Sequence, residues 1–183
     1  MPGQQILPPF SIQPLLKNEQ VQLQPLKEGD FEQLYAVASD PAVWQMHPNK
    51  DRYRQAVFKT FFEGAIQSGG AFLCRVLPSG ELAGSTRFYH YNAEDNSIFI
   101  GYTFYATRFW GTGLNRQVKQ LMLDYIFRFV NRVYFHVGAE NYRSQKAVEK
   151  LGALKLKEEW IAYHGEPDRL NFVYGILREQ WPL

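Results

Sequence analysis

The 183-residue chain contains one cysteine, Cys74. A single thiol excludes a disulfide within the chain and any zinc site built from cysteines, and it suits a reducing compartment. No stretch approaches the roughly eighteen consecutive apolar residues of a membrane-spanning helix. The segment MPGQQILPPF has neither a basic region nor an apolar one, so no signal peptide is expected. Charge of one sign is missing too: 20 Lys and Arg are interleaved with 18 Asp and Glu, for a net +2. A nucleic-acid footprint needs basic residues clustered on one face, so that class is excluded, although a few local cations could still serve a small anion. The expectation is a cytoplasmic protein with neither membrane nor nucleic acid among its partners.

What the chain does have is apolar and aromatic content, 45% and 16%, too much for a disordered polypeptide. The length suits one domain with an arm. Residues 1–20 carry four prolines and little periodicity and read as an extended arm, leaving 21–183 as a single domain. VQLQPLK (21–27) alternates as an edge strand, where Pro25 is tolerated. Asp30 is placed to cap a short helix bearing Phe31, Leu34, Tyr35 and Ala38, stopped near Pro41. Apolar residues keep helical spacing from 51 to 67 and end at SGG. AFLCRVL (71–77) and ELAGSTRFYHY (81–91) flank PSG as a hairpin, and SIFIGYTFYA (97–106) is the next strand. Leu114, Val118, Leu121, Met122, Tyr125, Ile126 and Phe129 then mark a helix. RVYFHV (132–137) is a strand, and NYRSQKAVEKLG a short helix capped by Asn141 and closed by Gly152. Two further strands, about 154–163 and 169–177, complete a mixed α+β order with one βαβ unit at its centre.

Gly111 and Gly113 sit where strand 97–106 passes into the helix. A helix N-terminus presents unpaired N–H groups and a partial positive charge, both suited to phosphate. Glycine lets the backbone take positive φ and approach a ligand closely, so successive amides can face one concavity. The other reading is a tight connector that needs glycine for steric reasons alone. The pattern is neither the dinucleotide fingerprint nor a P-loop, since no G-x-G-x-x-G and no G-K-[ST] follows the strand.

In their order, IGYTF, WGTGLNRQVKQLMLDYIFRFV, RVYFHVG and NYRSQKAVEKLGA, spanning Ile100 to Gly152 and just beyond, resemble the GNAT superfamily of acyl-CoA-dependent N-acetyltransferases. The chain is most similar to the branch containing the ribosomal-protein N-terminal acetyltransferases. The resemblance implies a twisted, mostly antiparallel sheet of about seven strands, a splayed fourth and fifth strand, about four flanking helices, and acetyl-CoA as co-substrate. The family's pyrophosphate loop, Q/R-x-x-G-x-G/A, fits RFWGTG (108–113) by letter and WGTGLN (110–115) by the register of the nearest branch. In the second register, preferred because the helix then starts where the family's does, Trp110, Gly111, Thr112, Gly113, Leu114 and Asn115 hold the pyrophosphate. Arg108 and Arg116 would lie nearby. Backbone groups of Thr103, Phe104 and Tyr105 would pair with the pantetheine arm, and Asn141 would bond its amide.

Acyl transfer needs the thioester held, the ammonium deprotonated and the departing sulfur protonated or stabilised. Many family members place a tyrosine acid where this chain has Val148; by resemblance to the nearest branch Ser144 is the candidate acid, donating a hydrogen bond to the developing thiolate. Relatives often carry a glutamate just before IGY, where Phe99 stands. For the base the candidates are His136, Glu94, Asp95, Glu158 and Glu159, with a water relay or an already neutral amine as alternatives. Trp44, His47, Tyr53, Tyr89 and Tyr91 are expected around the acceptor, most of them as core or rim and one or two in contact with substrate. The expected substrate is a small primary amine attacked directly in a ternary complex by a monomer or homodimer. The alternatives are a peptide N-terminus as acceptor, or a degenerate module that binds acyl-CoA without turnover. No metal is expected.

Overall fold

Side chains alternate across a strand, so each buried strand feeds two cores at once. Phe72 and Cys74 face one way and Ala71 and Leu73 the other, and each pair joins a separate apolar cluster. The computed structural model, which describes residues 7–163 and 165–182, resolves this into one sheet with helices on both faces. The strands are β1 (Leu16–Lys17), β2 (Val21–Pro25), β3 (Ala71–Val76), β4 (Glu81–Asn92), β5 (Ser97–Tyr105), β6 (Arg132–Gly138), β7 (Leu154–Ala162) and β8 (Asp168–Leu177). The four helices are α1 (Phe31–Ala38), α2 (Gln55–Ser68), α3 (Leu114–Ile126) and α4 (Tyr142–Glu149). The sheet order is β1-β2-β3-β4-β5-β6-β8-β7, and β5–β6 is the one parallel pair.

One core lies under α3, with Val118, Met122, Leu123 and Ile126 packed on Phe88, Ile98, Ile100 and Val133. The other lies under α1 and α2, with Leu34, Phe58 and Phe62 packed on Leu73 and Phe104. Asp30 precedes α1 without capping it through its side chain; its carboxylate accepts from the Lys27 N–H (2.8 Å) and closes the preceding turn. The stretch from 51 begins as a 3-10 turn, Lys50–Tyr53, before α2 starts at Gln55. Phe129 lies past the end of α3.

Residues 1–6 of the expected arm lie outside the described residues. From residue 7 on, the arm is built into the domain. Phe10 stacks on Phe129 (4.7 Å between ring centres) and meets Tyr91 edge-on (5.4 Å). The Tyr125 hydroxyl donates to the Ser11 carbonyl (2.7 Å) and Gln13 Nε2 to the Ala71 carbonyl (2.6 Å). Leu16–Lys17 adds β1 to the edge, which brings the strand number to eight rather than about seven.

The expected splay is present, between β5 and β6 in this numbering. They pair only at Ser97↔Arg132, Ile98↔Val133 and Phe99↔Tyr134. On its other edge β5 pairs Gly101 with Arg87 but Phe104 with Ser85, so three steps on β5 oppose two on β4. The extra residue is a β-bulge, and Tyr102 within it is left-handed, φ 52°. A bulged strand bends, and beyond Phe99 β5 leaves β6. Positive φ is costly for a bulky residue and marks a functional position more often than chance.

Candidate active site

The gap between β5 and β6 opens into a cleft of about 690 Å³. Its walls come from β5, the β5–α3 loop, the first turns of α3, the end of β6, and α4. Of the residues singled out in the sequence, Thr103, Phe104, Tyr105, Trp110, Gly111, Gly113, Leu114, Asn115, His136, Asn141 and Ser144 line it; Thr112 does not.

Gly111 and Gly113 have φ of 73° and 87°, a conformation that L side chains rarely adopt. Gly113 is the residue before α3, and the Gln117 N–H to Gly113 carbonyl bond (3.2 Å) closes the first turn. The amides before Gln117 have no partner within the helix, apart from a long Leu114 N–H to Thr112 Oγ1 contact (3.4 Å). Thr112 turns its hydroxyl to the Phe109 carbonyl (2.7 Å), so its side chain shapes the loop from outside. Helix geometry thus begins at Leu114, whereas 107–109 is a separate 3-10 turn.

Charge around the loop differs from the sequence expectation. Arg108 pairs with Glu81 on the surface (Nε to Oε1, 2.8 Å) and is not among the cleft residues. Arg116 does line the cleft, joined by Arg143 and Lys146 from α4 and by Lys150 just past its end, none of which was singled out from the sequence. Their spacing, i, i+3 and i+7 from Arg143, was the available signal. The Arg143 guanidinium lies 3.6 Å from the centre of the Trp110 ring. Trp110 in turn donates its indole N–H to the Tyr105 carbonyl (3.1 Å), and the Tyr105 hydroxyl donates to Asn115 Oδ1 (3.1 Å). The aromatic residues of β5 and the loop therefore brace each other. Phe104 presents only backbone here, its ring being packed in the core under α1 and α2.

Asn141 caps α4 by accepting the Ser144 N–H on Oδ1 (3.1 Å), which leaves its amide N–H₂ for other partners. The Ser144 hydroxyl is half-buried in the same wall. Lys119 is a further residue missed in the sequence. It sits among the apolar positions of α3, buried, with no carboxylate partner among the described residues. Its Nζ donates to Thr103 Oγ1 (2.6 Å) and Thr86 Oγ1 (3.0 Å), which ties α3 to the strand just past the bulge. Burial lowers its pKa to about 8.

His136 stands on the opposite side of the gap. Tyr89 OH is 3.1 Å from its Nδ1, Glu159 Oε2 is 3.4 Å from Nε2, and the Phe99 ring lies 4.3 Å away. The Phe99 position, where relatives often carry glutamate, is thus packed against the imidazole. Burial lowers the His136 pKa to about 4 against the opposing pull of Glu159, so the ring is neutral near pH 7. Glu159 is held by Lys157, Glu158 pairs with Lys155 (2.8 Å), and Asp95 accepts from Ser97 (2.5 Å) and Tyr134 (3.4 Å). Of the expected acceptor residues, His47 and Tyr89 line the cleft. Trp44 is a core residue, fully buried with its indole N–H on the Ala38 carbonyl (2.7 Å). Tyr53 packs against the core under α1 and α2, and Tyr91 against the N-terminal arm.

Residues 20–154 match the acetyltransferase (GNAT) domain family. No curated protein matches the chain in sequence. Solved structures do match. A GCN5-related N-acetyltransferase from Brucella melitensis has a TM-score of 0.80 at 18% identity, over 93% of this chain and 81% of its own. RimJ of Mycobacterium smegmatis in complex with CoA-disulfide gives 0.70 at 19%, over 89% and 84%. Spermidine N-acetyltransferase of Vibrio cholerae, in complex with CoA and spermine, gives 0.67 at 17%, over 89% and 98%. At these identities the likeness to the solved structures is one of fold.

Proposed function

The chain belongs to the GNAT acetyltransferases, and we propose that it transfers the acetyl group of acetyl-CoA to a small primary amine in a ternary complex. One observation carries this reading. The gap left by the β5 bulge belongs to one cleft with two left-handed glycines at a helix N-terminus, and Arg116, Arg143, Lys146 and Lys150 line that same cleft. A long thioester with a pyrophosphate at one end fits such a gap. The amides from Gly111 to Asn115 would take the pyrophosphate. The free edge of β5 at Thr103, Phe104 and Tyr105 would pair with the pantetheine arm, and an N–H there would polarise the acetyl carbonyl. The Asn141 side-chain N–H would bond an arm amide.

In the reaction the amine lone pair forms the new C–N bond as the C–S bond breaks. The proton lost by the amine goes to a base, and the thiolate gains one or is stabilised by hydrogen bonding. Ser144 is assigned the second task. It is a poor acid, but its hydroxyl can donate to sulfur as negative charge develops. For the first task His136 is the candidate within the site. Neutral at pH 7, it can accept a proton directly or through a water, but burial makes it a weak base, so it would hold the proton only while the adjacent Glu159 carboxylate stabilises the imidazolium. Residues 21–183 act as the single catalytic domain, with the arm folded onto it, and the cytoplasm is the compartment proposed.

A peptide N-terminus is the second reading. It is favoured by β7, an edge strand of the sheet with Leu154, Leu156 and Trp160 exposed, against which a peptide could lie. Thiol release from acetyl-CoA with panels of small amines and of peptides decides between them. Turnover of small amines is expected. Turnover of peptides alone would reverse the choice, and acetyl-CoA binding without turnover of either panel would indicate a degenerate module.

A further inference from the structure

Behind the cofactor cleft, on the α2 side of the sheet, lies a second cavity of about 1090 Å³. The two share Tyr89, Tyr102, His136 and Tyr163, so the wall between them is aromatic and stands where the acyl group would be offered. Two arginines are buried about this wall. Arg52 is answered by Glu166, through Nε and Nη2 both at 2.7 Å. Arg87 has no such answer. It is 5% exposed, its Nε lacks any hydrogen-bond partner, and it forms no ion pair among the described residues.

Arg87 is placed with care for a group left unpaired. Its guanidinium lies 3.9 Å from the centre of the Tyr102 ring and 5.5 Å from that of Phe61. These ring contacts orient the cation, leave its buried Nε–H without a partner, and give it no protein acceptor among the described residues. Burying a charge without a counter-charge costs several kcal/mol, and Arg52 nearby adds like-charge repulsion. Two guanidiniums with one carboxylate leave the cluster one negative charge short. The lining of the second cavity holds acids at Glu94 and Asp95, but Asp95 is engaged by Ser97 and Tyr134.

We infer that Arg87 seats the carboxylate of the acceptor, so that the substrate is an amino carboxylate rather than a plain amine or polyamine. The deduction rests on the acetyl-transfer reading and narrows its acceptor. Arg87 pairs in register with Gly101 of β5, the residue at the mouth of the bulge. Two strand spacings, roughly 10 Å, separate its backbone from the middle of the open gap. Its side chain leaves the sheet on the α2 side and lines the second cavity, which meets the cleft at the shared wall of Tyr89, Tyr102, His136 and Tyr163. An acceptor lying across that wall can therefore bring its amine to the thioester and its carboxylate to Arg87, and the planar fork of the guanidinium matches a carboxylate in two parallel bonds. A polyamine would instead bring more positive charge to a buried cation.

The test uses matched pairs, an amino acid and its carboxamide, in thiol-release kinetics with acetyl-CoA. The native protein is expected to favour the acid in kcat/KM by about 10- to 100-fold, the range of a charge-assisted pair, mainly through KM. That preference should collapse in Arg87→Met and survive in part in Arg87→Lys. Equal turnover of acid and amide by the native protein would overturn the assignment without any variant being needed. An undiminished preference in a folded Arg87→Met would do the same. Calorimetry of the same pairs on the CoA-saturated protein separates the two levels of the argument. Arg87-dependent binding of the acid without turnover would sustain the acceptor class and remove the transfer reading. Turnover of amines blind to the carboxylate would do the reverse. Neither binding nor turnover of either compound would remove both.

Discussion

The two faces of the central sheet are built on different principles. On the α3 side the site is made of backbone: left-handed glycines, unpaired amides at a helix start, and the open edge of β5, braced by Trp110, Tyr105 and Asn115. On the α2 side it is made of buried side chains, with Arg52, Arg87, Tyr89, Tyr102, His136 and Tyr163 in one aromatic and cationic cluster. A backbone site suits a ligand that many related proteins share, because it depends little on side-chain identity. A side-chain site can be rewritten residue by residue, and it is there that we place the choice of acceptor.

Breaking the backbone side should produce the largest effect on ligand binding. Gly113→Glu puts a residue with a side chain at φ 87° and sets a carboxylate on the amides meant for the pyrophosphate. Nothing lies within 4 Å of the added Cβ, so the protein has room to fold while the ligand is repelled. Acetyl-CoA affinity by calorimetry is expected to fall by more than about 100-fold, more than 2.7 kcal/mol. Unchanged affinity would remove the loop from the site.

Breaking the side-chain side should be felt first in stability. Arg52 and Glu166 are 3% and 5% exposed at their side chains, and Glu166→Ala would leave Arg52 buried beside an already unpaired Arg87. Removing one partner of a buried pair costs about 3–5 kcal/mol. Denaturant unfolding should show that loss, and a loss below about 1 kcal/mol would mean that the pair is effectively solvated.

Lys119 ties α3 to β4 and β5 and gives a pH signature. Burial holds its pKa in the folded protein near 8, below the 10.5 of a free lysine. Below pH 8 both states carry the proton, and the folded state bears the full cost of the buried charge. Between pH 8 and 10.5 the unfolded chain binds more protons than the folded one, so this group's contribution to stability rises with pH across that window. The stability of the native protein relative to Lys119→Met should therefore improve from pH 8 to 10.5, by up to a few kcal/mol. A constant difference would show that the ammonium is not desolvated.

How much of this was legible from residues follows the same division. The run β5–α3–β6–α4 could be read because its signals are local: alternation, two glycines, helical spacing, Asn141 before a helix. The bulge left no trace, since its left-handed residue is Tyr102 while Gly101 stands beside it. Arg52 and Glu166 are 114 positions apart and nothing local joins them. The insertion of β8 between β6 and β7 is likewise set by long-range pairing. Among the five aromatic and polar residues expected near the acceptor, sequence could not say which were core, because an aromatic near a pocket and one beneath it, such as Trp44, look alike. Lys119 was hidden because a charged residue at an inward helical position is normally discounted.

Ser144→Ala tests the chemistry rather than either wall. The hydroxyl does not support the fold, as the cap of α4 runs from Asn141 Oδ1 to the Ser144 backbone N–H. Its bond to sulfur would strengthen only as the thiolate forms, so kcat should fall about 10-fold with little change in KM. An unaltered kcat would transfer the role to water.

The smallest expected effect discriminates between the two registers of the loop. Arg108 and Glu81 form a surface pair with side chains 57% and 47% exposed, and such pairs contribute about 0.5 kcal/mol or less. Arg108→Ala should leave acetyl-CoA affinity within about twofold and stability nearly unchanged. Arg143 is the contrasting case, over the Trp110 ring and lining the cleft from α4. Its guanidinium is oriented before the ligand arrives, so Arg143→Ala should weaken acetyl-CoA binding about 10-fold at low salt, and less as salt rises and screens the phosphates. Two titrations at two ionic strengths measure both variants. If Arg108→Ala lost affinity and Arg143→Ala did not, the phosphates would lie over residues 108–113, and helix α3 would present its amides to solvent instead of to the ligand.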